Sequence, residues 1–255
     1  MPYIKKTWIA GRTVEVEKHY SGRYGKKCKR GARRSPTTEE QMEINRRRAE
    51  DHLRRLLNAN FRGGDWHLVI GYSREYSPTP EEAKRHREKF LRGYREWCKK
   101  EGRPVRYVAV TEYKNRRIHH HVVIEAMPPD VLAGLWTYGR PHITPLDNTG
   151  DYRLLAEYLI KETEKTFRES GAAQNKRWTQ SKGLIIPQPK VEIIKAETWR
   201  DDPRPPKNHI LLRDTLMMGV DRFTGQPWQR YTLMRTDRPE RGDGNAGRRR
   251  TEAAH

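Results

Sequence analysis

Residues 105 to 126 read Val105-Arg106-Tyr107-Val108-Ala109-Val110-Thr111-Glu112-Tyr113, then Lys114-Asn115-Arg116-Arg117, then Ile118-His119-His120-His121-Val122-Val123-Ile124-Glu125-Ala126. Both flanking runs are rich in β-branched and aromatic residues, and the polar segment about Asn115 is short, so the pattern predicts an antiparallel hairpin. Alternation along the second strand sends His119, His121 and Val123 to one face. Ile118, His120, Val122 and Ile124 take the other, which is expected to be the core face. A turn around Asn115 and Arg116 sets Glu112 opposite His119, where paired Cβ atoms lie about 4.5 to 5.5 Å apart. One carboxylate and two imidazoles then converge and leave positions open on an octahedral ion. That donor set suits Mg²⁺ or Mn²⁺, and ligand type alone also admits Zn²⁺. Three consecutive histidines also describe a polar, solvated strand end, and Glu112 a rim partner of Arg116 or Arg117. His120, aimed into the apolar face, is expected to be a hydrogen-bonded core histidine.

Outward from this hairpin the elements follow in order. Thr37 and Glu40 make a capping box for a helix from about Glu39 to Asn58. A strand from Trp66 to Tyr72 follows the Gly63-Gly64 break. Thr79-Pro80-Glu81-Glu82 supplies an N-cap, a proline at the first helical position and a box partner for a helix ending near Lys100. Beyond the hairpin, Pro128 and Pro129 open a short helix, Pro141 to Pro145 reads as an edge strand, and Asp151 caps a helix through about Phe167. The order β-α-β-β-α-β-α predicts an α+β fold, a ferredoxin- or RRM-like antiparallel sheet with helices on one face. Further on, Lys190 to Ala196 reads as a strand, Pro203 to Lys207 as a linker, and Phe223 to Met234 as a hairpin about Gly225.

The 255 residues carry 53 Lys+Arg against 33 Asp+Glu, a net charge of +20. That balance points to nucleic acid or an anionic surface. No apolar run approaches the roughly 18 residues of a transmembrane helix, and the start lacks the apolar core of a signal peptide, so no membrane role is expected. Cys28 and Cys98 are too few for a disulfide framework or a four-cysteine zinc site and suit a reducing compartment. There is no GxxxxGK[ST], hence no expected nucleotide cofactor or motor. Gly242, Gly244 and Gly247 match G-x-G-x-x-G but lack the flanking strand and helix of a dinucleotide site. Residues 1–36 carry eleven Lys/Arg against Glu15 and Glu17 and are expected to form a flexible basic arm. Residues 37–60 form a helix leading into the core, 61–200 the main domain, 201–236 an extension with a hairpin, and 237–255 a disordered Arg/Gly-rich tail.

On a wheel of 100° per residue, Tyr152, Leu155, Ala156, Leu159, Ile160 and Phe167 form one buried stripe. Leu154, Tyr158, Lys161 and Lys165 lie opposite, with Tyr158 and Lys161 as surface neighbours. An ammonium beside the phenol favours the phenolate, which makes Tyr158 a candidate nucleophile. An amphipathic surface tyrosine would fit the same position.

Together, Glu112, the Arg117 to Ile124 run and Tyr158-Leu159-Ile160-Lys161 about 37 residues later resemble the HUH endonucleases, most closely the single-tyrosine rolling-circle replication initiators of small phages and plasmids. The strand Trp66 to Tyr72 stands in the place of their first motif. The segment Lys176-Arg177-Trp178 to Leu184 resembles a stretch that follows the catalytic helix, so the resemblance spans about residues 61 to 195. It implies His119 and His121 as metal ligands, Glu112 as a third ligand at a position that varies within the superfamily, Tyr158 as nucleophile and Lys161 as the motif lysine. His120 stands where an apolar residue is usual. With Leu at 154 and Tyr152 out of phase, one catalytic tyrosine is implied. The implied activity is nicking and rejoining of single-stranded DNA at an origin hairpin through a 5′-phosphotyrosine, with host helicase and polymerase as partners, in a bacterial cytoplasm. Arg116, Arg117, Lys165, Arg177, Trp178 and Lys182 are the expected DNA contacts. A relaxase or a single-strand transposase would use the same chemistry. A noncatalytic RRM-like binder is the rival of another class, with Tyr107 or Tyr113 as stacking platforms.

Overall fold

The structure, a computed structural model, describes residues 2–20, 39–113, 117–167, 177–221 and 224–236. Along the chain the elements are β1 (Tyr3–Ala10), β2 (Thr13–His19), α1 (Glu39–Asn60), β3 (Trp66–Ile70), α2 (Pro80–Lys100), β4 (Tyr107–Glu112) and β5 (His119–Ile124). They continue as α3 (Pro129–Leu135), β6 (His142–Pro145), α4 (Arg153–Phe167), β7 (Thr179–Gln180), β8 (Lys190–Ile194), β9 (His209–Val220) and β10 (Pro227–Arg235). The fold is α+β, with two antiparallel five-stranded sheets.

The first sheet has the order β6-β3-β5-β4-β7. Its register pairs Tyr107 with Ile124 and runs without a shift to Glu112 opposite His119, as the short turn requires. α2 starts where the capping box places it: the Glu82 N–H donates to Thr79 Oγ1, and the Glu82 carboxylate accepts from the Thr79 N–H at 2.9 Å. The helix stops before Gly102, whose φ of +64° is left-handed. Asp151 lies just ahead of α4, where its carboxylate accepts from Asn58 Nδ2 at 3.2 Å.

Helices cover both faces of this sheet rather than one. Leu68, Ile70, Tyr107, Ala109, Val122 and Ile124 pack against Phe90, Leu91 and Tyr94 of α2 and Leu132 of α3. On the opposite face Val108, Val110 and Val123 pack against Leu53, Leu56 and Leu57 of α1 and Ala156, Leu159 and Ile160 of α4. The histidines make only one end of that second face polar. Its valines still need cover, and the amphipathic stripes of α1 and α4 supply it.

The second sheet corrects the expected arm and extension. Its order is β8-β1-β2-β10-β9, and β2 pairs with β10 from His19 opposite Trp228 to Thr13 opposite Met234. Residues 3–19 thus share one sheet with residues 209–235 and are not a flexible arm. Their charges are matched across strands, with Lys6 3.4 Å from Glu17 and Lys5 3.8 Å from Glu192. The hairpin about Gly225 is present, but its first strand is β9, upstream of the expected start. The β1–β2 turn passes so close to α1 that a Cβ on Gly11, at φ +58°, would lie 2.1 Å from the Asn58 carbonyl oxygen. Buried Glu15 pairs with Arg54 and Arg55 of α1, both at 2.7 Å, and Arg55 lies over the Trp8 ring at 4.0 Å. Thr37, residues 21–36, and the tail 237–255 with its three glycines lie outside the described residues. No helix among the described residues is long and apolar enough to cross a membrane.

Candidate metal centre and its tyrosine

Glu112 at the end of β4 and His119 and His121 on β5 come together as the hairpin register dictates, with their ligand atoms within 4.8 Å of one another. Glu112 Oε2 lies 3.0 Å from His119 Nε2 and 3.9 Å from His121 Nε2. Glu112 and His121 are buried, at 3 % and 1 % exposure, whereas His119 is partly open to solvent.

The hydrogen bonds decide which nitrogens are available. His119 Nδ1 lies 3.0 Å from the Arg117 carbonyl, which only accepts, so the proton belongs on Nδ1. Its Nε2 then turns a lone pair towards Glu112 in the neutral ring. His121 Nδ1 lies 3.1 Å from His67 Nε2, while His121 Nε2 is buried without a hydrogen-bond partner. Burial first, then His67 and His119, pushes the His121 pKa down to about 3, so that ring is neutral. If Nδ1 donates to His67, His121 presents a bare Nε2 lone pair beside a carboxylate. A divalent cation bound here would take the place of any proton shared between His119 Nε2 and Glu112, and two imidazoles and one carboxylate within this reach can hold one.

His120 is not part of the cluster. It is fully buried on the α2 side, with Nδ1 2.9 Å from Thr111 Oγ1 and Nε2 3.3 Å from Tyr72 Oη. Arg87 of α2 donates to the same Thr111 hydroxyl at 2.6 Å. This is the hydrogen-bonded core histidine that strand alternation predicts.

Tyr158 of α4 is 42 % exposed, and its ring meets His121 edge to face at 5.2 Å. Its pKa is raised, by burial first and then by Glu162 and Glu112. The expected push towards phenolate is therefore reversed: carboxylates, not the Lys161 ammonium, dominate the field at the phenol. Lys161 is exposed on the same helix, Leu154 is exposed, and Tyr152 is buried in the core.

The expected DNA contacts separate. Arg117 donates to the Ser73 and Arg74 carbonyls at 3.1 and 2.5 Å and so anchors the loop after β3. Trp178 packs on the core beside α1, its indole N–H donating to Gln180. Arg177 is partly buried, Lys182 is exposed, Lys165 lies near the end of α4, and Arg116 lies outside the described residues. Tyr107, weighed as a stacking platform, is buried against α2 and unavailable to a base.

One site residue escapes the sequence: His67 on β3. It stacks on His121 with ring centroids 5.3 Å apart and planes at 18°. Its edge also approaches Tyr158, with centroids 6.3 Å apart. Burial, then His142, lowers its pKa to about 4. The available signal is parity, since His67 shares a strand face with Val69, which pairs with His121. Using it requires knowing that β3 pairs with β5.

Fold and site define an α+β protein with a carboxylate and two histidines able to hold a metal, beside a tyrosine. Residues 72–166 match the family model described as Replication-associated protein ORF2/G2P, and this supports a Rep-type replication protein. The matched segment contains Glu112, His119, His121, Tyr158 and Lys161, and begins after His67. No curated protein and no solved structure matches the chain.

Proposed function

We propose that this protein is a single-tyrosine HUH endonuclease that initiates rolling-circle replication by nicking and rejoining single-stranded DNA at an origin. The observation that carries the proposal is the meeting of the Tyr158 ring with His121 beside the Glu112-His119-His121 group. Those three residues would hold Mg²⁺ or Mn²⁺, which when bound polarises the scissile phosphate and steadies charge on the leaving oxygen. Tyr158 Oη attacks phosphorus, the bond to the 3′ oxygen breaks, and the phenolic proton is replaced by the new P–O bond. The products are a 5′-phosphotyrosine and a 3′ oxygen that takes up the proton released by the phenol and, as a 3′-OH, can serve a polymerase. Lys161, one turn from Tyr158, is assigned to the phosphate of the adduct. Because the phosphotyrosine conserves the energy of the broken bond, the reverse attack rejoins the strand without ATP. Duplex unwinding falls to a helicase of the host, in whose cytoplasm the protein would act.

Tyr158→Phe tests the reading directly. With single-stranded origin DNA and Mn²⁺, the native chain should form a covalent adduct stable to denaturing gels. Tyr158→Phe should form none, and an adduct on that variant rejects Tyr158 as the nucleophile.

A further inference from the structure

The second sheet carries a surface that nothing in the nicking chemistry uses. On the face turned away from α1, the segment around Thr198 to Arg204 folds over β1, β2 and β10 and leaves an open concavity of about 490 Å³. Three rings, Tyr3, Trp199 and Tyr231, and three cations, Lys18, Arg200 and Arg204, line it, and among the described residues no carboxylate does. The covering segment is held in place: the buried Gln229 side chain donates to the Arg200 and Asp201 carbonyls at 2.8 and 3.1 Å. Trp199 is fixed between Tyr20, stacked at 5.1 Å, and Tyr3, edge-on at 5.0 Å.

Lys18 is the unusual member. It is 8 % exposed, its ammonium donates to the neutral Gln229 Oε1 at 2.9 Å, and it lies over the Tyr231 ring at 5.2 Å. It forms no ion pair among the described residues. Lys5 stands directly opposite it across the β1–β2 ladder, but Lys5 has its own partner in Glu192 at 3.8 Å, which leaves Lys18 as the unpaired cation of the two among the described residues. A buried ammonium with donors to spare is costly without a counter-charge. The contrast lies on the other face of the same sheet, where a cavity of about 280 Å³ is also rich in arginine. There Arg54 and Arg55 pair with Glu15, Arg153 with Asp214 and Arg230 with Asp51, so no cationic deficit is left.

We propose that this concavity binds a nucleoside phosphate, the base lying against Trp199 or Tyr231 and the phosphate on Lys18, Arg200 and Arg204. Cations beside aromatic faces are the chemistry of single-strand recognition. The favoured source is a nucleotide of a single-stranded DNA, a choice that rests on the proposed function; a free mononucleotide shares the same chemistry.

The test uses the full chain in EDTA and reads the anisotropy of fluorescein-labelled dT12, with dTMP and inorganic phosphate as competitors. Trp199→Ala is expected to weaken dT12 binding about five- to a hundredfold, the range for loss of one base stack. The exposed Arg204→Ala, which leaves the core untouched, should lower the slope of log affinity against log salt by about 0.7. Lys18→Met should weaken binding while holding or raising the melting temperature, because it removes an unpaired buried charge. If Trp199→Ala abolishes competition by dTMP, one nucleotide suffices; if dTMP never competes while dT12 binding still falls, the strand is the ligand. Binding by all three variants within twofold of the native chain overturns the proposal, as does competition by phosphate equal to that by dTMP. Without a divalent ion the assay reads no cleavage, so its failure is distinct from an adduct on Tyr158→Phe.

Discussion

Replacing His67 with phenylalanine isolates what orients His121. A phenyl ring can keep the stack at 5.3 Å and the burial around it, but it accepts no hydrogen bond from the nitrogen now 3.1 Å away. With the proton on Nδ1, the tautomer that ligation through Nε2 requires, His121 then keeps a buried donor without a partner, at about 1–3 kcal/mol, or passes the proton to Nε2. Either outcome works against a metal, since ligation needs a bare Nε2 and a satisfied Nδ1–H. Losing such an outer partner typically costs 10- to 100-fold in metal affinity, equal to about 1.4–2.7 kcal/mol. His67 can serve as acceptor at neutral pH because burial and His142 hold its pKa near 4. The assay is Mn²⁺ titration by isothermal calorimetry on the native chain, His67→Phe and His67→Gln, the last restoring an acceptor. Mn²⁺ affinity of a folded His67→Phe within twofold of native would refute the orienting role.

Two further predictions concern stability. His120 and His121 are at 0 % and 1 % exposure, and burial is the first cause lowering both pKa values, that of His121 to about 3. The unfolded chain takes up their protons near pH 6.5 while the fold does not, so stability is full above about 6.5 and falls as pH drops towards 3. At pH 5 His121 alone costs about 2 kcal/mol, which lowers the melting temperature by about 4–8 °C relative to pH 7 in EDTA, and His120 acts in the same direction; a flat profile between those values would contradict the assignment. Glu15→Ala strands Arg54, whose side chain is 8 % exposed and, among the described residues, keeps only the Asp51 ion pair, at 3.3 Å. Urea unfolding should show a loss of about 3 kcal/mol, the low end for breaking a buried pair, and a loss below about 1 kcal/mol would mean that Glu15 does not hold the second sheet to α1.

What was legible from sequence follows the range of the interactions. β4 and β5 lie close together in sequence, so local alternation was enough to place Glu112 against His119 and to send His120 to the other side. His67 was not legible because it reaches His121 through β3–β5 pairing, a contact between residues 54 apart. The terminal strands were hidden by their charge. Lys5, Lys6, Glu15 and Glu17 count as solvated when read singly, and their cross-strand and helix partners appear only once the sheet is assembled. Tyr158 shows the same limit only in part: burial and Glu112 act from other elements, whereas Glu162, four residues on along the same helix, was as visible as the lysine.

The pairing of β2 with β10 sets a timetable for synthesis. His19 must wait for Trp228, 209 residues later in the chain, and at about 5–20 residues per second the ribosome needs roughly 10–40 s to deliver it. In that interval β3 to β7, with their helices, can already have left the exit tunnel, so the sheet bearing the histidines can form first. The β1–β2 hairpin spends the same interval with an unpaired edge. Contacts of such long sequence separation fold slowly, and the waiting β1–β2 hairpin is where a chaperone or a premature strand partner would find this protein.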